Sequence, residues 1–211
     1  MGAPNNGSEI WLSEPSSSCN NCWDYDGGSG WVVTGASFSG ALSQADPYLL
    51  QPGRYPYSFG EVRNHWGFNS HRNDLLDGFL KLLTEVQSVV PVCAVWLAGS
   101  FLTSKDMPGD VDVTLVVPAN DLRNLQGATR LLVTPSGLQR LARTLNVRVD
   151  AYVLPWECLP QPDPNDPDHG RYLMTRGYWD DWWMRLRSTT PAEGALPRRG
   201  YVEVIVDGYT P

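Results

Sequence analysis

The sequence predicts an α+β fold, an α/β sandwich in which helices flank a mixed β-sheet. Three observations carry that reading. Short apolar runs of strand length recur at residues 92–97, 111–117, 147–154 and 201–206. A long segment near residue 70 repeats its apolar residues every three or four positions, as a core-facing helix does. Pro- and Gly-rich stretches punctuate the chain between these segments, and the order of helices and strands is one that packs helices on a sheet.

The elements follow in chain order. Residues 1–48 are rich in Gly, Ser, Asn and Asp and read as an acidic extension, loosely docked, with Trp11, Trp23 and Trp31 as anchors and one strand at 31–38. Residues 49–211 read as the folded domain. It opens with an extended segment, LLQPGRYPY. Ser58-Phe59-Gly60-Glu61 has the form of a capping box for a short helix to about Trp66, closed by Gly67. Asn69 or Ser70 caps the longer helix, where Leu75, Leu76, Phe79, Leu80, Leu83 and Val86 form the apolar stripe. Two strands follow, 92–97 and 111–117, then one short helix from Pro118 to Gln126. Thr134-Pro135 is an N-cap with proline at the first helical position, opening a helix to about Leu145. The strand at 147–154 is expected to end at Pro155. A Pro/Asp loop leads to an aromatic helix at 171–187, and a last strand spans 201–206.

Bulk properties exclude several classes. The chain has 211 residues, 42% of them apolar, and no apolar run long enough for a transmembrane helix. Its N-terminus lacks the basic and apolar regions of a signal peptide, so a cytoplasmic protein is expected, with no membrane partner. Net charge is −7, of which residues 1–53, devoid of Lys and Arg, carry −5. That balance argues against binding to long DNA. Four cysteines are too few for a disulfide framework. Cys19 and Cys22 have the spacing of half a zinc knuckle without its second half and read as incidental thiols.

The stretch with most chemical content is VWLAGSFLTSKDMPGDVDVTLVV, residues 95–117. Gly99-Ser100 ends one apolar run, and Asp110 and Asp112 stand at the mouth of the next. On a strand, positions i and i+2 share a face, so the two carboxylates are expected to project together and to repel. A divalent cation relieves that repulsion, and hard oxygen ligands suit Mg²⁺ or Mn²⁺. A Gly-Ser turn offers N–H groups and a hydroxyl to phosphate. Asp150 is a lone acid within the next strand, read either as an exposed or salt-bridged residue or as a third metal ligand.

Gly-Ser, a loop of nine, Asp-x-Asp and a later strand-borne Asp together resemble the minimal core of the DNA polymerase β-like nucleotidyltransferase superfamily. The wider layout of 49–206 also resembles a family of uncharacterised, nucleotidyltransferase-like bacterial and phage proteins. The resemblance rests on PGRYPYSFGEVRNHWGFNSHRNDLLDGF, WLAGSFLTSKDMPGDVDV, WDDWWMRLR and RRGYVEVIV. It implies a polymerase β-like core in which Asp110, Asp112 and Asp150 are catalytic and bind two metal ions. Gly99 and Ser100 would hold the triphosphate of an NTP, with Thr103 and Lys105 of the intervening loop as further nucleotide contacts. The implied reaction transfers NMP to a hydroxyl on a protein or RNA acceptor, in a toxin–antitoxin or phage-defence setting. The competing expectation is a non-catalytic nucleotide- or partner-binding module on the same fold.

The remaining candidates have plainer readings. His65, His71 and His169 form no catalytic pattern and read as surface or cap residues. Trp179, Trp182 and Trp183 read as packing on the sheet, with a base-stacking wall beside Arg171, Arg176, Arg185 and Arg187 as the alternative. Arg198-Arg199 either faces the acceptor or solvates a turn. Arg72 is expected to be a phosphate contact or an exposed partner of an acid such as Asp74.

Overall fold

The computed structural model describes residues 46–188 and 190–209. A mixed five-stranded sheet carries the fold, in the order β1-β5-β2-β3-β4. The strands are β1 (Gly53–Pro56), β2 (Ala94–Ala98), β3 (Val111–Pro118), β4 (Val149–Trp156) and β5 (Gly200–Ile205). β2 lies antiparallel to β3 and β5, whereas β1 runs parallel to β5 and β4 parallel to β3. The expected mixed sheet with flanking helices is therefore present. The expected strand at 31–38, the Trp11, Trp23 and Trp31 anchors and the Cys19/Cys22 pair lie outside the described residues.

Local chemistry explains why the first helices form where they do. In α1 (Phe59–Trp66) the Ser58 hydroxyl accepts from the Glu61 N–H, while the Glu61 carboxylate accepts from the Ser58 N–H. Both halves of the capping box are thus made. Gly67 closes α1: its N–H donates to the Arg63 carbonyl at 2.8 Å, and an added Cβ would sit 2.5 Å from that oxygen. Asn69 caps α2 (Ser70–Gln87) through its side-chain oxygen, and Leu75, Leu76, Phe79, Leu82, Leu83 and Val86 are buried beneath it. Thr134 caps α5 (Pro135–Thr144) with proline in the first turn, as the sequence predicts.

Three boundaries differ from expectation. Residues 118–132 form two short helices, α3 (Ala119–Asn124) and α4 (Gly127–Leu132), where one was expected. Gly127, at a φ of 55°, begins the second. Pro155 does not end β4: it lies opposite Val117 inside the strand. β4 is an edge strand, so a missing N–H on its open side costs no ladder bond. The aromatic helix, α6, spans Pro167–Trp183 rather than 171–187. Asp166 caps it by accepting from the Asp168 and His169 N–H groups. A short α7 (Pro191–Gly194) precedes β5.

The sheet buries both faces. One face packs Val95, Leu97, Val113, Leu115, Val202 and Val204 against α1, α2 and α5. The other carries Ala94, Trp96, Ala98, Val116, Leu154 and Tyr201, covered by Trp183 with Trp179 alongside. The Trp183 indole donates to the Thr114 hydroxyl at 2.8 Å, which satisfies a fully buried polar side chain. Trp179 and Trp183 thus pack on the sheet, whereas Trp182 is exposed and stacks on Tyr178. Among the described residues, no helix is long and apolar enough to cross a membrane.

Candidate functional site

The site lies where β2 ends and β3 and β4 begin. In the parallel pair, Asp112 stands directly opposite Asp150, and on β2 it stands opposite Ala98. Strand alternation puts Asp112 on the side of Thr114 and Val116, and Asp150 on the side of Tyr152 and Leu154. Both carboxylates therefore open on the sheet face that α6 covers. Neighbouring strands are about 4.8 Å apart, so two like charges are held side by side by the hydrogen-bond ladder itself.

Gly99 closes the site from the β2 side. The chain leaves β2 through a 3₁₀ turn, Gly99–Leu102, whose first residue has a φ of 73°. That turn lays the Gly99 backbone on the Asp112 carboxylate: an added Cβ would sit 1.6 Å from Asp112 Oδ2. Only glycine tolerates both the backbone angle and the contact. Gly99→Ala is expected to displace Asp112 and cost about 2–4 kcal/mol, combining left-handed strain with overpacking. A denaturant midpoint unchanged in that variant would show that the contact yields freely.

Asp112 responds to its surroundings. Burial, then the Asp110 charge, then the Asp150 charge push its carboxyl up to about 6, against partial relief from Arg199 and Arg187. Neither arginine comes into ion-pair contact with it: among the described residues, no salt bridge involves Asp110, Asp112 or Asp150. Asp110 lies one residue before β3 rather than on it, so its closeness comes from the loop and not from strand alternation. Asp150 is not salt-bridged either; its Oδ2 accepts from the Tyr152 hydroxyl at 2.9 Å. Burial, then that bond, push the Tyr152 hydroxyl up to about 12, so it remains a donor at neutral pH. The Tyr152 ring packs on Trp179 with centroids 4.5 Å apart.

The loop from Ser100 to Asp110 is fastened by the first turn of α2. Asn69 Nδ2 donates to the Asp106 carbonyl and to Asp106 Oδ1, at 3.0 and 2.8 Å. His71 Nε2 donates to the Pro108 carbonyl at 2.7 Å, which leaves Nδ1 to accept from Arg148 at 3.3 Å. The buried Arg72 guanidinium donates to the carbonyls of Trp66, Phe101 and Lys105 and lies against the Phe68 and Phe101 rings. The expectation that Arg72 contacts phosphate or an exposed acid is therefore corrected. Its cation is consumed by backbone carbonyls in the protein interior.

Of the residues singled out in the sequence, Gly99, Asp110, Asp112 and Asp150 gather around one point of the sheet, and Ser100 follows Gly99 in the turn. Thr103 and Lys105 lie further along the loop. The Thr103 hydroxyl donates to the Ser100 carbonyl at 2.8 Å and accepts from the Lys105 N–H at 3.2 Å, which makes it part of the loop's own turn. The Lys105 side chain is exposed. Among the described residues, no group of three His, Cys, Asp or Glu side chains, Asp110, Asp112 and Asp150 included, is arranged as it stands to hold a metal ion. Sequence reasoning missed Tyr152 as the partner of Asp150, although Asp-x-Tyr on a strand places the two on one face. It left Arg199 undecided; its Nε donates to the Trp183 carbonyl at 3.0 Å, and burial lowers its pKa.

Comparison with known proteins adds a family. The profile of a family of unknown function (DUF6932) matches residues 43–205, so the chain belongs to that family. No curated protein and no solved structure matches it.

Proposed function

We propose that this member of a family of unknown function is a metal-dependent nucleotidyltransferase with a polymerase β-like core, transferring NMP from an NTP to a hydroxyl of a protein or RNA. The observation that carries the reading is the registered pair Asp112–Asp150, with Asp110 close enough to disfavour the Asp112 charge and the Gly99 backbone against Asp112. The cluster holds more negative charge than Arg187 and Arg199 neutralise, which suits a divalent cation. Its donors are hard carboxylate oxygens, the type that Mg²⁺ or Mn²⁺ prefers.

In this reading Asp110, Asp112 and Asp150 would hold the metal. When bound, it would neutralise charge on the phosphates and lower the pKa of the acceptor hydroxyl. The residues around it position. Tyr152 orients Asp150. Gly99 lets backbone approach the substrate closely, and the Ser100 hydroxyl and turn N–H groups face a phosphate. Arg187 and Arg199 supply fixed positive charge beside Asp112 for the anionic substrate. The α2 bonds to Asp106 and Pro108 keep the Asp110 loop from drifting, which matters because the chemistry depends on alignment.

The test is incubation of the protein with α-labelled NTPs, Mg²⁺ or Mn²⁺, and host protein or total RNA. Label is expected on an acceptor, with at least a hundredfold loss in Asp110→Ala and Asp112→Ala. Tight NTP binding without transfer to any acceptor would instead assign a nucleotide-sensing module.

A further inference from the structure

A second cleft lies at the open edge of the sheet, at the opposite end of β3 and β4 from the carboxylates. Asp112 and Pro118 are six strand positions apart, about 20 Å, so the two places are separate. Around the last residues of β4, helix α3, the α4–α5 corner and the first half of α6 enclose about 380 Å³. Leu122, Val133 and the Tyr172 ring supply apolar wall. Arg123, Arg130 and Arg171 line the same cleft against a single acid, Glu157.

The charges do not cancel. Arg123 takes Glu157 at 2.7 Å, and Arg171 reaches only the exposed Asp168, at 3.7 Å. Arg130 has no ion pair among the described residues. The Tyr172 hydroxyl accepts from Arg176 at 2.9 Å, outside this set. A concave apolar wall of this size, with the Arg130 guanidinium beside it left without an ion pair, suits a molecule with an apolar body and an anionic end.

We infer that this cleft binds a small organic anion, a ring or short aliphatic body bearing one phosphate or carboxylate. Arg130 meets the anion, and Leu122, Val133 and Tyr172 hold the body. The site is independent of the proposed nucleotidyl transfer.

Titration calorimetry of the full chain with phenyl phosphate tests this, with inorganic phosphate and phenol as the separated halves. Phenyl phosphate is expected to saturate one site at least tenfold more tightly than either half. Arg130→Glu should weaken it at least fivefold, and Thr175→Trp, which fills the cleft from α6, should abolish it. Arg143→Glu on the exposed side of α5 should change nothing, nor should Asp112→Asn. Absence of saturable binding, affinity no better than that of inorganic phosphate, or indifference to both cleft variants would overturn the inference. A change in affinity in Asp112→Asn, in either direction, would overturn it too, by placing the ligand beside the carboxylates.

Discussion

Asp112→Asn is expected to make the protein more stable at pH 8 and no more stable at pH 4. The Asp112 carboxyl has an ordinary value of 3.8 and is raised to about 6 in the fold. Below pH 4 both folded and unfolded chains carry the proton, and the group costs nothing. Between 4 and 6 the unfolded chain releases the proton while the folded chain keeps it, so stability falls as pH rises. Above 7 the full cost is present. Two pH units correspond to about 3 kcal/mol, and partial access of water to the side chain reduces this to about 1–2. For a domain of this size that is a rise of roughly 5 °C in Tm. The asparagine keeps the shape that Gly99 requires and removes the repulsion from Asp110 and Asp150. Mg²⁺ or Mn²⁺ should raise the wild-type Tm increasingly above pH 6 and leave the variant unmoved. Thermal melts at pH 4, 6 and 8, with and without metal, measure both effects. If the variant is less stable at pH 8 by as much as at pH 4, Asp112 is a structural partner of Arg187 and Arg199, and the reading of an uncompensated carboxylate fails.

That cost is part of what makes the site readable, and only half of it was visible in the sequence. Local signals were legible because their physics is local. Ser58 and Glu61 bond to each other across one helical turn, Asn69 caps α2, and Thr134-Pro135 starts α5. Apolar runs gave four of the five strands. The pairing of those strands was not legible: Asp112 meets Asp150 only because a segment containing three helices returns β4 parallel to β3. The sequence predicts α6 four residues late because Asp166-Pro167 sits in a proline-rich loop, although it is an N-cap followed by proline in the first turn. Pro155 misled in the opposite sense, because tolerance of proline depends on which strand is at the edge. Arg72 reads from the sequence as a phosphate contact or an exposed partner of an acid, because charge pattern says nothing about carbonyls that the fold brings to a guanidinium from thirty residues away.

Arg72 carries the largest stability effect expected of any substitution. It is fully buried and donates to three carbonyls, one at the end of α1 and two in the loop between β2 and β3. Burial lowers its pKa, but a guanidinium stays charged, so the fold must keep all three acceptors in place. Arg72→Met retains apolar bulk between Phe68 and Phe101 and leaves those carbonyls without donors. Each orphaned group costs about 1–3 kcal/mol, a total of about 3–9, comparable with the whole stability of many domains. Arg72→Lys places one compact ammonium where a planar fork spans three directions, and about 2–4 kcal/mol should be lost. Urea unfolding measures both, and a loss under 1 kcal/mol in Arg72→Met would refute the role. The lysine variant separates local from global effects. Two of the three acceptors, Phe101 and Lys105, lie in the segment that carries Gly99 and Asp110 to the site. Amide exchange across 99–110 should therefore accelerate more than exchange in β2 and β5, because that segment loses its anchor while the sheet keeps its ladder. Uniform acceleration would mean that Arg72 supports the core as a whole. Faster exchange confined to the loop would identify α2 as the element that holds the candidate site in register.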